Sequence, residues 1–160
     1  MPDCIVNASP LIALGLVGRI GLLERLFDSV VVPQGVVEEI SAGDKDDAAR
    51  CWLEGEGRRW TVRSISVHPV IAGWDLGKGE SEVLSWGYTL KGHVLILDDG
   101  AARKCARSLG MACRGTLGLL VSAKQQGLLD AVTPILHALE SAGIWMRPEL
   151  IATVKRLAGE

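Results

Sequence analysis

Val94-Leu95-Ile96-Leu97, followed at once by Asp98-Asp99-Gly100, decides the fold. An uninterrupted apolar run of this length is the pattern of a strand buried on both faces, which requires a layer of helices on each side of its sheet. The two acids and the glycine end it abruptly. On the upstream side, a helical period from Gly79 places Val83, Leu84, Gly87 and Leu90 on one face. On the downstream side, Ala102, Cys105, Ala106 and Leu109 line a helix whose opposite face carries Arg103, Lys104 and Arg107. Helix, buried strand, helix is the unit of a parallel sheet.

The same unit recurs along the chain. Cys4-Ile5-Val6 reads as a strand, and Ser9-Pro10 offers an N-cap followed by proline at the first helical position, so a helix is expected from near Pro10. Gly15, Gly18 and Gly21 divide this helical stretch into two short helices that part near Val17 to Arg19. Ser29-Val30-Val31-Val32 is a second strand stopped by Pro33, and Val36, Val37 and Ile40 form the apolar face of the next helix. Ala42 to Ala49 is expected to be a loop leading into a helix through about Glu54, Trp60 to Arg63 an edge strand, and His68 to Gly77 a connection. Met111-Ala112-Cys113 is a last short strand, and helices are expected at about 116–126, 131–142 and 148–158. The fold class is therefore α/β, a mainly parallel central sheet with helices on both faces, with residues 1–160 as a single domain.

Composition narrows the function classes. With 48% hydrophobic and 22% charged residues, disorder and fibrous repeats are excluded. A formal net charge of −2 removes the long-range positive field of a strongly basic nucleic-acid binder, so any such contact must come from a local patch. Cys4, Cys51, Cys105 and Cys113 form no CxxC and no zinc-spaced set with histidine, which argues for a reduced, cytoplasmic protein and against zinc. The N-terminus does not read as a signal peptide, and the apolar region from Ile5 to Leu23 is broken by Asn7, Ser9, Pro10 and Arg19; no membrane span is expected.

In an open parallel sheet ligands bind beyond the C-terminal ends of the strands. The polar residues there are Asn7, Glu38, Glu39, Asp98 and Asp99, with Glu80 and Glu82 opening the helix before the central strand. At about 100° per residue, Glu80 falls on the stripe of Val83, Leu84 and Gly87, while Glu82 turns toward Trp86 and Thr89; Glu80 is expected to point inward. Glu39 lies nearer than Glu38 to its helix's apolar face. Asp98 and Asp99 point to opposite sides, so one is expected to cap the following helix and the other to face the crevice; Asp99 is the favoured ligand, with Asp98 kept open. Carboxylates gathered in one cleft raise each other's pKa unless a cation compensates, and Mg²⁺ or Mn²⁺, which prefer oxygen ligands, suit that role. Such ions support hydrolysis of phosphodiesters. Taken one at a time, each residue also has a structural use as cap, turn or solvated face. Lys78 between Gly77 and Gly79 lacks the spacing of a nucleotide-binding phosphate loop.

Five stretches in order carry a resemblance: Ile5-Val6-Asn7-Ala8-Ser9-Pro10-Leu11-Ile12, Val32 to Ile40, Leu76 to Glu82, Leu97-Asp98-Asp99, and Gly115 to Leu120. Over nearly its whole length the chain resembles the PIN-domain family, in particular the compact prokaryotic branch related to VapC-type toxin ribonucleases. The resemblance implies a three-layer PIN-like fold and a cluster of acids binding Mg²⁺ or Mn²⁺ for RNA cleavage. It also implies a frequent homodimer and, for a toxin, a small antitoxin protein as partner. Carried over, the family's four acidic positions fall on Asn7, Glu39, Glu80 and Asp99, and Ser9 and Thr116 match hydroxyl positions beside them. Asn7 departs from the family's usual Asp: its amide oxygen ligates a hard cation but brings no charge. Arg103 and Arg107, with Lys104, Arg114 and Lys124, are the candidate phosphate contacts.

The leading expectation is a metal-dependent endoribonuclease with Glu39, Glu80 and Asp99 as catalytic acids, Asn7 and Asp98 as further ligands, and Ser9, Arg103, Arg107 and Thr116 toward the substrate. The alternative is a PIN-like nucleic-acid-binding or regulatory module weakened in catalysis at Asn7. A phosphatase-like use of Asp98 or Asp99 as nucleophile lacks the acid pair on the first strand that such sites usually need.

Overall fold

A computed structural model describes residues 2–43 and 47–160. Among these residues five strands, β1 (Cys4–Val6), β2 (Val30–Pro33), β3 (Thr61–Val62), β4 (Val94–Ile96) and β5 (Cys113–Arg114), form one sheet in the order β3-β2-β1-β4-β5. Every pairing is parallel. Helices cover both faces, which is the three-layer α/β architecture expected. The cause is visible in the centre of the sheet: Cys4, Ile5, Val6, Leu95 and Ile96 are all buried, so neither face of β1 or β4 tolerates water. Both outer strands, β3 and β5, are only two residues long.

The first crossover contains α1 (Ala8–Leu16) and α2 (Leu22–Leu26), parted in the glycine-rich segment as expected. The helix start differs. Asn7, with extended φ and ψ, holds the N-cap position of α1, and Ser9 lies inside the first turn. Proline is tolerated there because its missing N–H is one of the groups a helix leaves unpaired in its first turn. Pro33 ends β2 and α3 (Gln34–Ala42) follows it directly. Of the expected 42–49 loop, residues 44–46 lie outside the described residues, and α4 (Asp47–Glu54) follows. The expected connection at 68–77 contains one turn of helix, α5 (Pro69–Ala72), capped by His68, whose Nδ1 accepts a hydrogen bond from the Val70 N–H at 3.2 Å.

Next comes α6 (Lys78–Thr89), packed on β1, β2 and β4 and against α3. Then α7 (Gly100–Ser108) leads to β5, and α8 (Thr116–Gln125), α9 (Thr133–Ser141) and α10 (Pro148–Ala158) complete the chain close to the expected bounds. Among the described residues no helix is long and apolar enough to cross a membrane. All four cysteines are free thiols, and burial pushes the Cys4 thiol upward, leaving it inert.

Glu160 closes the C-terminal helices on each other. Its carboxylate accepts the Val132 N–H at 2.6 Å and the Thr133 N–H at 3.0 Å, capping α9, which has no side-chain cap of its own. The Val132 hydrogen bond, followed by those from Thr133, lowers the Glu160 carboxyl to about 2. A depressed folded-state pKa contributes stability that is complete above the unfolded value, about 4.3 for Glu, and lost as pH falls through the folded one. Glu160→Ala is therefore expected to lower Tm at neutral pH by about 2 °C. The gap from wild type should narrow between about pH 4.3 and 2; thermal scans over that range check it, and a gap independent of pH would exclude the charged cap.

Candidate active site

The polar residues predicted at the strand ends fall into two adjoining groups. Asn7 links them, because β1 sits at the middle of the sheet. Its N–H donates to the Ile96 carbonyl at 3.1 Å, placing it level with the end of β4.

The first group lies where α3 meets α6. The Asn7 side chain makes no cap hydrogen bond to α1; the residue is 1% exposed and its Oδ1 has no hydrogen-bond partner. Glu39, on α3, points to the same place. A Cβ on Gly79 would stand 2.9 Å from Glu39 Oε2 and 3.3 Å from Asn7 Oδ1, so one methyl-sized point touches both oxygens. Only a residue without a side chain leaves that point open. Glu38 turns away to Lys78, with Nζ 2.6 Å from Oε2, and both side chains are at least half exposed. The hydrogen bond and charge of Lys78 hold the Glu38 carboxyl below its usual range, while Glu38 raises Lys78. Solvent screens this pair, so it contributes little to stability.

On α6 the expected roles of the two glutamates are reversed in burial. Glu80 is half-buried and folds back over the helix start, its Oε2 2.7 Å from where a Cβ on Gly77 would be; Glu82 is 1% exposed. The stripe rule allows a helix one buried face. Here the residues at 79, 81–85 and 87 are all buried, because α6 is covered by the sheet and by α3 together.

The second group surrounds Asp98. Its Oδ1 accepts the Thr116 N–H at 2.7 Å and its Oδ2 the Thr116 hydroxyl at 2.6 Å, so Asp98, just beyond β4, caps α8, which follows the neighbouring strand β5. Asp99 is the N-cap of α7, its Oδ2 accepting the Ala102 N–H at 2.9 Å. The expectation that one aspartate would cap and the other face the crevice is met by Asp99 as cap of its own helix and Asp98 toward the crevice, opposite to the preference for Asp99 as the crevice residue. Ser9, Asp98, Arg103, Arg114 and Thr116 line one end of a groove of about 810 Å³. Its other walls are apolar and include Leu16, Leu150, Leu157 and Trp145, the last 78% exposed. Arg107 is exposed on the last turn of α7 and does not line the groove, nor do Asn7, Glu39, Glu80 and Glu82.

A model of one family, described as a PIN domain, matches residues 3–160. The chain belongs to the PIN-domain family. No curated protein matches it. PIN domains are in general nucleases and typically use divalent metal ions. In this PIN domain no group of three or more His, Cys, Asp or Glu side chains gathers to hold a metal among the described residues. The single gathering of Glu39, Glu80 and Asp99 expected from the sequence is replaced by the two groups above. A divalent cation nevertheless fits the first group. Its donors are all hard oxygens, and the buried Asn7 Oδ1 lacks the partner that such an atom almost always has. Sequence reasoning missed Gly79 and the burial of Glu82; the clue available was a glycine three residues before an acid at a helix start, the spacing that puts both on one face.

Proposed function

We propose that this PIN domain is a divalent-cation-dependent endoribonuclease. The observation supporting this is the pairing of the unpartnered, buried Asn7 Oδ1 with the Glu39 carboxylate about the bare Cα of Gly79. When bound there, Mg²⁺ or Mn²⁺ would supply an acidified water and charge neutralisation at a phosphate. Asn7 and Glu39 hold and orient that centre. Arg103 and Arg114 offer positive charge to the phosphates of an RNA strand in the neighbouring groove. Asp98 fixes the start of α8, and with it the wall that carries Thr116 and faces Ser9.

The reading extends to a toxin that acts in the cytoplasm as a homodimer and is neutralised by a small antitoxin protein. The family resemblance supports it, as do the exposed apolar side chains Leu16, Trp145, Leu150 and Leu157, which leave a surface for a protein partner. A second reading, a module that binds RNA without cutting it, is favoured by the neutral side chain at Asn7. The deciding experiment is incubation of the purified protein with single-stranded RNAs in Mn²⁺, in Mg²⁺ and in EDTA. Cleavage with either metal and none in EDTA is expected. RNA binding with no cleavage under any metal supports the module, and cleavage that survives EDTA overturns the proposal.

A further inference from the structure

The helices α3 and α6 exchange carboxylates across their seam. On α3, Gly35 and Glu39 are four residues apart and share a face; on α6, Gly79 and Glu82 are three apart and share a face. Glu39 Oε2 lies 2.9 Å from the place of a Cβ on Gly79. In return, Glu82 Oε2 occupies the place of a Cβ on Gly35, with its Cδ 2.9 Å from that point. Each glycine leaves room for the other helix's carboxylate. Gly35 and Glu39 are four residues, about 6 Å, apart along α3, so the two carboxylate contacts fall on successive turns of the seam.

The condition of Glu82 is unusual. It is 1% exposed, and neither of its carboxylate oxygens has a hydrogen-bond partner. A buried charge left in that state is costly unless something positive meets it. Lys78 is nearby, yet its ammonium is hydrogen-bonded to Glu38 on the outside of the seam. Asn7 Oδ1 is equally bare and shares the Gly79 position with Glu39. Glu80, by contrast, is the third residue of α6 and folds back over its N-terminus, the position of a glutamate that caps a helix.

We propose that Glu82, and not Glu80, is the second carboxylate of the cation site, acting with Glu39 and the Asn7 amide from opposite sides of the glycine-lined seam. This rests on the metal-dependent reading above. The test is a Mn²⁺ titration of the whole protein followed by electron paramagnetic resonance of free Mn²⁺, with Tm measured in EDTA and in Mn²⁺. Glu82→Gln is expected to weaken Mn²⁺ binding by about tenfold or more. It should keep or raise Tm in EDTA, because a bare buried charge is removed. Glu80→Gln should leave the affinity within about twofold. Wild-type affinity in Glu82→Gln, or the loss appearing in Glu80→Gln instead, overturns the assignment while leaving metal dependence intact. A wild-type protein that binds no Mn²⁺ overturns both. Should Glu82→Gln fail to fold, Gly35→Ala, whose methyl would displace the Glu82 carboxylate, must show the same loss of affinity; unchanged affinity there also overturns the assignment.

Discussion

Replacing Glu39 by glutamine is expected to slow metal-dependent RNA cleavage by about 10²- to 10³-fold. The change removes one charge and no volume, at an exposed position on α3, so Tm should stay within about 2 °C of wild type. Glu38→Gln is the control. It weakens the exposed contacts of Glu38 with Lys78 and Gln34 and should leave the rate nearly unchanged. Initial rates on one single-stranded RNA at saturating Mn²⁺ decide the matter, and equal rates in the two variants would remove Glu39 from the site.

Asn7→Asp should act in the opposite direction. It adds a charge at an oxygen that is buried, unpartnered and within reach of the Glu39 side chain's position. With metal, binding of Mn²⁺ should tighten by about tenfold or more, since affinity for a hard cation follows the charge of its ligands. Without metal, a further carboxylate beside Glu39 meets repulsion and desolvation together. Tm in EDTA should then fall by about 5 °C and be restored by Mn²⁺. Affinity unchanged by the substitution would mean that Asn7 does not face the cation.

The fold was legible where burial alone decides structure. Runs such as Val94 to Leu97 and Cys4 to Val6 have no polar side to present, so they had to be central strands. The single turn at Pro69–Ala72 has too few residues to establish a period, and it was invisible. At the site, reading stopped where tertiary packing takes over. Glu80 and Glu82 exchanged places because α6 is buried against two layers. The use of Asp98 as a cap for Thr116, eighteen positions away, has no local signature. Asn7 and Thr116 stand at a strand end and a helix start, and Glu39 beside the apolar stripe of its helix, so their placement could be read from local pattern.

The brevity of the outermost strands limits how copies of this molecule can associate. Two residues at each margin of the sheet expose too few unpaired amides and carbonyls to template another molecule's strand, so growth into a continuous intermolecular sheet is disfavoured. Any assembly of copies is then built mainly from side chains on the exterior rather than from shared strands, so a few surface side chains decide its strength.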